Sequence, residues 1–220
     1  MTPAYNARIW SAGDARIAPG LRLIYSAERV TAMVALVILA PFAAVIAGTI
    51  MLLSGRGPLI SHRRAGWRGA PLPMLKFRTM WGECGRRGCL FSIEHVSGCV
   101  SDAKGFSDAR VNSRFASFCR RYSIDELPQL YHVARGEMSL VGPRPITFAE
   151  LEEHYGDCAD EVVSLRPGLT GLWQVMGRND LPYAERRRLD LVLVREASAR
   201  LYLSILLRTI PKVLAGRGSY

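Results

Sequence analysis

The longest apolar stretch of the sequence runs from Val30 to Leu53, 24 residues without a charged side chain. A membrane-embedded helix needs about 20 apolar residues, so this stretch is long enough to enter a bilayer. It is too long for the apolar region of a signal peptide, and no clear cleavage site follows it. A buried helix of a soluble protein is less favoured, because globular helices are usually shorter. The pattern predicts a membrane helix, preceded by a mobile tail over residues 1–20.

Pro41 stands in the middle of this stretch, where it removes a helical hydrogen bond and is expected to break or kink the helix. Both flanks are basic, and basic flanks prefer the cytoplasmic side of a membrane. The flanking arginines are Arg22 and Arg29 before the stretch and Arg56, Arg63, Arg64 and Arg68 after it. We therefore predict a re-entrant helix broken at Pro41, which enters and leaves through one face. A kinked helix that crosses the membrane once remains the alternative.

Alternating side chains follow the membrane stretch at Leu75, Phe77 and Thr79. This spacing predicts a short strand that carries Lys76 and Arg78 on one face. Such a face is often only solvated, so the pattern alone leaves their role open.

Two further segments have a helical spacing of apolar residues, Phe106–Tyr122 and Tyr183–Leu214. Both also carry basic side chains, which is typical of helices that lie on a membrane surface. For the second segment, a plain core helix explains the pattern equally well. The Gly- and Ser-rich residues 81–107 between the strand and these helices are predicted to form a loop.

The net charge of +10 is concentrated in one part of the chain. The segment from Arg56 to Arg121 holds 13 Lys and Arg against four acidic residues, whereas the rest holds 16 against 15. Such an excess indicates an anionic partner. No nucleic-acid motif accompanies it, so lipid headgroups or a phosphorylated substrate are favoured over nucleic acid. The five cysteines include no CxxC pair, which favours reduced thiols in the cytosol over disulfides or a zinc site.

Two adjacent carboxylates, Asp125 and Glu126, form the most polar point of the segment 120–145. Asp125 can cap a helix from Glu126 to Ala134, with Pro128 in the first turn, where its missing N–H costs nothing. Gly136 is expected to end this helix. Acids are common at helix N-termini because the dipole favours them, so a cap and a catalytic pair are both open.

Arg144 lies between Pro143 and Pro145, which restrict its backbone, and Arg166 opens a second Gly- and Pro-rich segment. Arginines bind phosphate oxygens bidentately and offset negative charge that develops during a reaction. An aspartate can attack phosphorus, and a neighbouring glutamate can take a proton or hold a divalent cation such as Mg²⁺. Together these residues indicate phosphoryl transfer at a bilayer surface.

The sequence resembles the bacterial sugar transferases, the monotopic polyprenyl-phosphate phosphoglycosyl transferases. The resemblance covers the chain from about Leu21 to the C-terminus and is carried by a joint set of motifs. These motifs are His62–Gly66, Lys76–Met80, Asp108-x-Arg110, Ser123–Leu130, Gly136–Pro145, Arg166–Gly171 and Gly177–Asn179. The most similar members are exopolysaccharide galactosyl-1-phosphate transferases of the succinoglycan type. Val192-Leu193 replaces a usual aromatic pair and Tyr202 a common acidic residue, departures that concern sugar choice more than chemistry.

The resemblance implies a reaction in two steps. Asp125 would attack the β-phosphate of a UDP-hexose and release UMP, and undecaprenyl phosphate would then accept the phosphosugar. Glu126 would assist through Mg²⁺ or proton transfer, so that Asp125 and Glu126 are also the expected metal ligands. The side chains expected to bind phosphate are Lys76, Arg78, Arg110, Arg120, Arg144 and Arg166.

The expected fold is α+β and mostly helical, in a monotopic membrane protein with interfacial amphipathic helices and a small β element. Residues 21–55 would form the re-entrant membrane helix and residues 56–220 the catalytic domain, on the cytoplasmic face of the bacterial inner membrane. The bilayer is thus a partner beside the two substrates, and homodimer formation is left open. The alternative from another class is a non-catalytic membrane-anchored adaptor that binds an acidic partner through residues 56–121.

Overall fold

The computed structural model describes residues 19–80, 93–96, 113–177 and 181–215. The helices are α1 (Pro19–Ser54), α2 (Arg114–Arg121), α3 (Leu130–Arg135), α4 (Phe148–Glu150), α5 (Ala159–Val162), α6 (Leu172–Met176), α7 (Tyr183–Arg195) and α8 (Ala199–Ala215). The strands are β1 (Leu59–Ala65), β2 (Pro71–Phe77), β3 (Glu94–Val96), β4 (Ser139–Val141) and β5 (Gly168–Thr170). Short helical turns cover Trp67–Gly69, Ile124–Gln129, Leu151–Tyr155 and Gly156–Cys158. The prediction of a mostly helical α+β protein with a small β element is confirmed.

Two small sheets stiffen the helical body. The first has the order β2-β1-β3, in which β1 pairs antiparallel with β2 from Leu59↔Phe77 to Ala65↔Pro71 and parallel with β3. The predicted strand around Lys76 is therefore present as β2, and Arg78 follows it directly. The second sheet is the parallel pair β4 and β5.

Helix α1 continues through Pro41 without interruption to Ser54, so the predicted break at this proline is wrong. Proline lacks only its own N–H, and its fixed φ of about −65° is compatible with a helix. Leaving the helix here would expose many more backbone groups in an apolar stretch, which costs more than one missing bond. Among the described residues, α1 is the one helix long and apolar enough to cross a membrane. The re-entrant path stays a prediction.

Both ends of α1 pack against the rest of the protein, whereas one side of its middle does not. Near its start, Ala32 packs with the buried Val133 and Met138. Near its end, Ile46 and Ile50 pack against Phe77 of β2. Between these contacts, six large apolar side chains are 47–76% exposed: Met33, Val34, Val37, Ile38, Phe42 and Val45. Such a contiguous exposed apolar surface is typical of a site that meets a membrane or a protein partner.

A buried carboxylate, Glu28, fixes the N-terminal part of α1 to the body. Its side chain is 4% exposed, and Oε2 accepts hydrogen bonds from Ser139 Oγ (2.9 Å), Leu140 N–H (2.9 Å) and Tyr202 O–H (2.5 Å). A buried charge is tolerated only with such partners. Glu28 thus joins α1, β4 and α8 at one atom.

Glycines allow β4 and β5 to meet at a distance that no side chain permits. A Cβ atom on Gly168 would lie 2.1 Å from the backbone nitrogen of Gly142, and one on Gly142 would lie 2.2 Å from the carbonyl oxygen of Arg166. Gly168 N–H also donates to Pro143 O (2.8 Å), and Gly142 N–H donates to Thr170 O (2.9 Å). The segments 136–145 and 166–171, which are distant along the chain, are therefore locked together.

We expect Gly168→Ala to destabilise the protein by about 3 kcal/mol, because the obstructing atoms belong to the backbone and cannot rotate away. For a chain of this size, that loss corresponds to an apparent Tm about 6–12 °C lower for the detergent-solubilised protein. Gly48→Ala in α1 is the matched control, since nothing lies within 4 Å of its added Cβ. Equal melting temperatures for both variants would show that the two segments are not tightly apposed.

Candidate active site

The adjacent carboxylates Asp125 and Glu126 lie in the first turn of the helical segment Ile124–Gln129, which continues into α3. This segment begins at Ile124, two residues earlier than predicted, so Asp125 is not the N-cap. Ser123 occupies that position with a left-handed φ of 57°, and Glu126 N–H donates to Ser123 O (3.1 Å). The tight turn that results carries both carboxylates on consecutive residues near the positive end of the helix. The predicted end at Gly136 is confirmed, with φ 75°.

The backbone below the carboxylates rests on the membrane helix. Ile124 and Leu127 are half-buried against the cluster of Ile46, Ile50 and Phe77. These contacts connect the segment that carries Asp125 to the C-terminal part of α1. Pro128 lies within the same turn, where its ring fixes φ and so restricts the backbone.

Lys76 of β2 forms an ion pair with Glu126, with 3.0 Å between Nζ and Oε1. Their side chains are 25% and 30% exposed, so a ligand in solution can reach the pair. The neighbouring Leu75 N–H donates to His132 Nε2 (3.2 Å), which holds β2 against α3. Because Nε2 accepts here, His132 carries its proton on Nδ1 and donates it to Glu137 Oε2 (2.7 Å).

Helix α2 lies on another side of the carboxylate pair. Burial and the nearby charge of Asp125 raise the pKa of Cys119 to about 11, so this thiol stays neutral and is not a nucleophile at physiological pH. Arg120 occupies the last turn of α2 and is half-buried. Asp125 is thus flanked by the end of a basic helix and Glu126 by Lys76.

Arg78 is 5% exposed and supports the backbone before β1. Its Nε donates to Gly57 O (2.9 Å), and its backbone N–H donates to Pro58 O (2.8 Å). The possibility that Lys76 and Arg78 form only a solvated face is therefore wrong. Arg78 is buried, and Lys76 is paired with a carboxylate.

Arg144 lies between Pro143 and Pro145 on the loop that follows β4. Its guanidinium stacks 5.1 Å from the ring centre of Trp173 in α6, and its backbone N–H donates to Asp190 Oδ1 (3.4 Å). These two contacts connect Arg144 to α6 and α7.

Arg166 lies at the base of α1, between the rings of Tyr25 and Trp67 at 4.8 and 5.1 Å. Its Nε and Nη1 are buried without a hydrogen-bond partner in the structure, and its charge acts on Glu28. The described contacts of Arg166 are therefore near Tyr25, in the N-terminal part of α1, and not at the carboxylate pair. Arg110, the sixth predicted phosphate ligand, and the motif residues Arg178-Asn179 lie outside the described residues.

The described part of the chain contains no group of three or more His, Cys, Asp and Glu side chains arranged to hold a metal ion. Mg²⁺ needs fewer protein ligands than that, because it keeps several waters and binds through one or two carboxylates plus substrate phosphates. Asp125 and Glu126 offer two such carboxylates, so the residues present fit a magnesium ion that arrives with a phosphorylated substrate.

Two buried acids were missed by the sequence reasoning, Glu28 and Asp190. Asp190 is 1% exposed and stands between Leu189 and Leu191, whereas Glu28 is 4% exposed and is followed by Arg29. A lone acid between apolar residues of a helix is the signal that could have identified Asp190, because such an acid needs specific buried partners. The sequence around Glu28 carries no such signal.

Comparison of the sequence with known proteins places the chain in a family. The profile of the bacterial sugar transferases matches residues 23–216. The chain is 40% identical over 193 residues to the exopolysaccharide production protein ExoY of Sinorhizobium fredii. The matched region covers 86% of this chain and 84% of that protein.

Two longer relatives match over the same region. One is the undecaprenyl-phosphate galactose phosphotransferase of Salmonella typhimurium, 38% identical over 176 residues, with 74% of this chain and 35% of that protein covered. The other is the UDP-glucose:undecaprenyl-phosphate glucose-1-phosphate transferase of Xanthomonas campestris, 32% identical over 201 residues, with 88% and 39% covered. The chain spans between a third and two fifths of the length of these two proteins. The resemblance inferred from the motifs is confirmed, and the chain belongs to the bacterial sugar transferase family.

Proposed function

We propose that this protein, a polyprenyl-phosphate phosphoglycosyl transferase by family, moves a hexose 1-phosphate from a UDP-hexose to undecaprenyl phosphate. The observation that carries the proposal is the position of Asp125 and Glu126. They lie on one turn, with Lys76 on Glu126, and this turn packs on the membrane helix. A soluble nucleotide and a lipid phosphate can both reach a carboxylate pair in that position.

The chemistry proceeds by two displacements at phosphorus. An oxygen of Asp125 attacks the β-phosphorus of the UDP-hexose, the bond to the bridging oxygen breaks, and UMP leaves with that oxygen. A phosphate oxygen of undecaprenyl phosphate then attacks the same phosphorus and releases the Asp125 carboxylate. The products are UMP and a lipid diphosphohexose, the first intermediate of an exopolysaccharide repeat unit.

The charged neighbours divide the remaining tasks. Lys76, which is paired with Glu126, supplies positive charge next to the bound phosphates. Arg120 is half-buried at the end of α2, just before the turn that carries Asp125, and we assign it to phosphate oxygens. We assign Arg144, the half-buried arginine between Pro143 and Pro145, to phosphate as well, because the family resemblance gives it that role. Bound Mg²⁺ would be held by Asp125 and Glu126 and would offset charge on the diphosphate.

Loss of the nucleophile tests this function. Asp125→Asn should lower UMP release from UDP-hexoses by at least about a thousandfold, and Glu126→Gln by about a hundredfold, in membranes supplied with undecaprenyl phosphate and Mg²⁺. Glu152→Gln, an exposed acid elsewhere, is the control and should retain full activity. Unchanged turnover in Asp125→Asn would leave this residue a structural acid and favour an adaptor. Absence of UMP release with every UDP-hexose tested would refute the transferase.

We further propose that the protein is monotopic, with the catalytic body on the cytoplasmic face of the bacterial inner membrane. The packing of both ends of α1 on one body supports this arrangement, because a helix that crossed the bilayer would carry its two ends to opposite sides. Helix α8 adds a second apolar surface, since Leu203, Leu207, Ile210 and Leu214 are all at least 51% exposed and follow helical spacing. Such a surface beside basic residues suits the headgroup region.

Cysteine labelling in spheroplasts tests the topology. Arg22 and Ser117 are exposed residues on the two sides of the apolar stretch, and each is replaced by cysteine in a cysteine-free background. We expect an impermeant maleimide to label neither variant until the membrane is permeabilised, because both sites face the cytoplasm. A periplasmic cysteine in another protein verifies that the reagent reaches the outer face. Labelling of one site alone in intact spheroplasts would mean that α1 crosses the membrane.

A further inference from the structure

Asp190 is a buried acid that the proposed chemistry does not use. It lies in the interior of α7 and is 1% exposed. Oδ2 accepts the O–H of Tyr155 (2.9 Å), and Oδ1 accepts the backbone N–H of Arg144 (3.4 Å). A fully buried carboxylate is costly unless its hydrogen bonds and nearby charges compensate, so its partners indicate what it does.

The contact with Arg144 is specific because of the two prolines. Prolines have no backbone N–H, so Arg144 supplies the only backbone donor within Pro143–Pro145. That single donor is directed to Asp190. The loop is thereby held at its central residue, the one that carries the cationic side chain.

The surroundings of Arg144 explain why a negative charge is useful here. Arg144 and Arg186 both stack on the ring of Trp173, at 5.1 and 5.4 Å from its centre. Two guanidinium groups on one ring repel each other, and the charge of Asp190 interacts favourably with Arg144. Ionised Asp190 therefore favours a closely held Arg144.

We propose that Asp190 is a positioning residue for the transferase, whose ionised carboxylate holds Arg144 in the orientation that binds substrate phosphate. The inference rests on the proposed phosphate-binding role of Arg144. The orientation of Arg144 would then depend on pH, because it depends on whether Asp190 is ionised.

The groups around Asp190 determine the pH at which its carboxylate gains a proton. Burial raises the pKa of Asp190 to about 7, against the opposing effects of the Tyr155 hydrogen bond and of Arg144. Burial likewise raises the pKa of Tyr155, which remains a hydrogen-bond donor. The other titratable or charged groups that face this cluster are Tyr183, Arg186 and, through Tyr183, Glu150. Asp190 thus loses its charge as pH falls below about 7.

The raised pKa of Asp190 also affects the stability of the fold, and its effect on stability is opposite to its expected effect on activity. The folded pKa lies above the ordinary value of 3.8, so the stabilising contribution of the group is complete below that value and is lost as pH rises through about 7. Above pH 7 the charged carboxylate is a cost to folding. Asp190→Asn, which removes the charge and keeps the shape, should therefore melt no lower than the wild type at pH 8.5.

The test compares kcat/KM of the wild type and Asp190→Asn in nanodiscs across pH 5.5–8.5, for UDP-hexose and for undecaprenyl phosphate separately. At each pH, kcat/KM of the wild type is divided by kcat/KM of Asp190→Asn, which cancels the titration of the substrates. We expect a ratio of about 10 at pH 8.5 that falls toward about 1 at pH 5.5, where wild-type Asp190 is also neutral. Asp157→Asn, an exposed acid, should give a ratio near 1 throughout. A ratio that does not change with pH would overturn the proposal.

Two further variants separate positioning from packing. Tyr155→Phe removes a hydrogen bond that lowers the pKa of Asp190, so the midpoint of the acidic limb should move to higher pH; an unmoved midpoint contradicts the proposal. In an Arg144→Met background, Asp190→Asn should have no further effect, because the residue that it positions is absent. An undiminished effect there would also contradict it. If Arg144→Met alone retains full activity, the phosphate-binding role itself fails, and the inference fails with it.

Discussion

One carboxylate oxygen, Glu28 Oε2, is the point at which the membrane helix, the second sheet and the C-terminal helix are joined. It accepts three hydrogen bonds from Ser139, Leu140 and Tyr202, which belong to β4 and α8. In this protein the tyrosine at position 202 supplies one of the three donors of the buried Glu28. An acid at position 202 would instead place a second carboxyl group beside it.

This connection fixes the carboxylate pair relative to the apolar helix. Glu28 holds the first part of α1 to the body, and Ile50 packs near Phe77 and the turn that carries Asp125. The exposed apolar surface of α1 lies between these contacts, so the carboxylate pair has a defined position relative to that surface. In the proposed function this surface meets the bilayer, from which a lipid phosphate would approach Asp125, and a nucleotide sugar would approach from water. The glycine contact between β4 and β5 fixes the Arg144 loop relative to the same frame.

Local patterns predicted the long apolar helix, the strand with Lys76, the helix end at Gly136 and the adjacency of the two carboxylates, since each depends on neighbouring residues. The motifs also identified the family. The break at Pro41 was predicted wrongly, because one missing hydrogen bond costs less than leaving the helix within an apolar stretch. The start of the helical turn at Ile124 was also predicted wrongly, since its packing against α1 and β2 cannot be seen in the local sequence. The partners of Glu28, Asp190 and Arg166 could not be predicted, since nothing local shows which distant segment meets a lone charge. The same holds for the apposition of Gly142 and Gly168.

The central claim is that Asp125 carries the phosphosugar between donor and acceptor. The most direct measurement incubates the purified protein with UDP-hexose and Mg²⁺ without undecaprenyl phosphate, then locates any adduct by mass spectrometry of peptides. We expect one hexose phosphate on Asp125, sensitive to hydroxylamine as an acyl phosphate is, and removed when undecaprenyl phosphate is added. Complete transfer without any modified peptide, or an adduct on another residue, would contradict it.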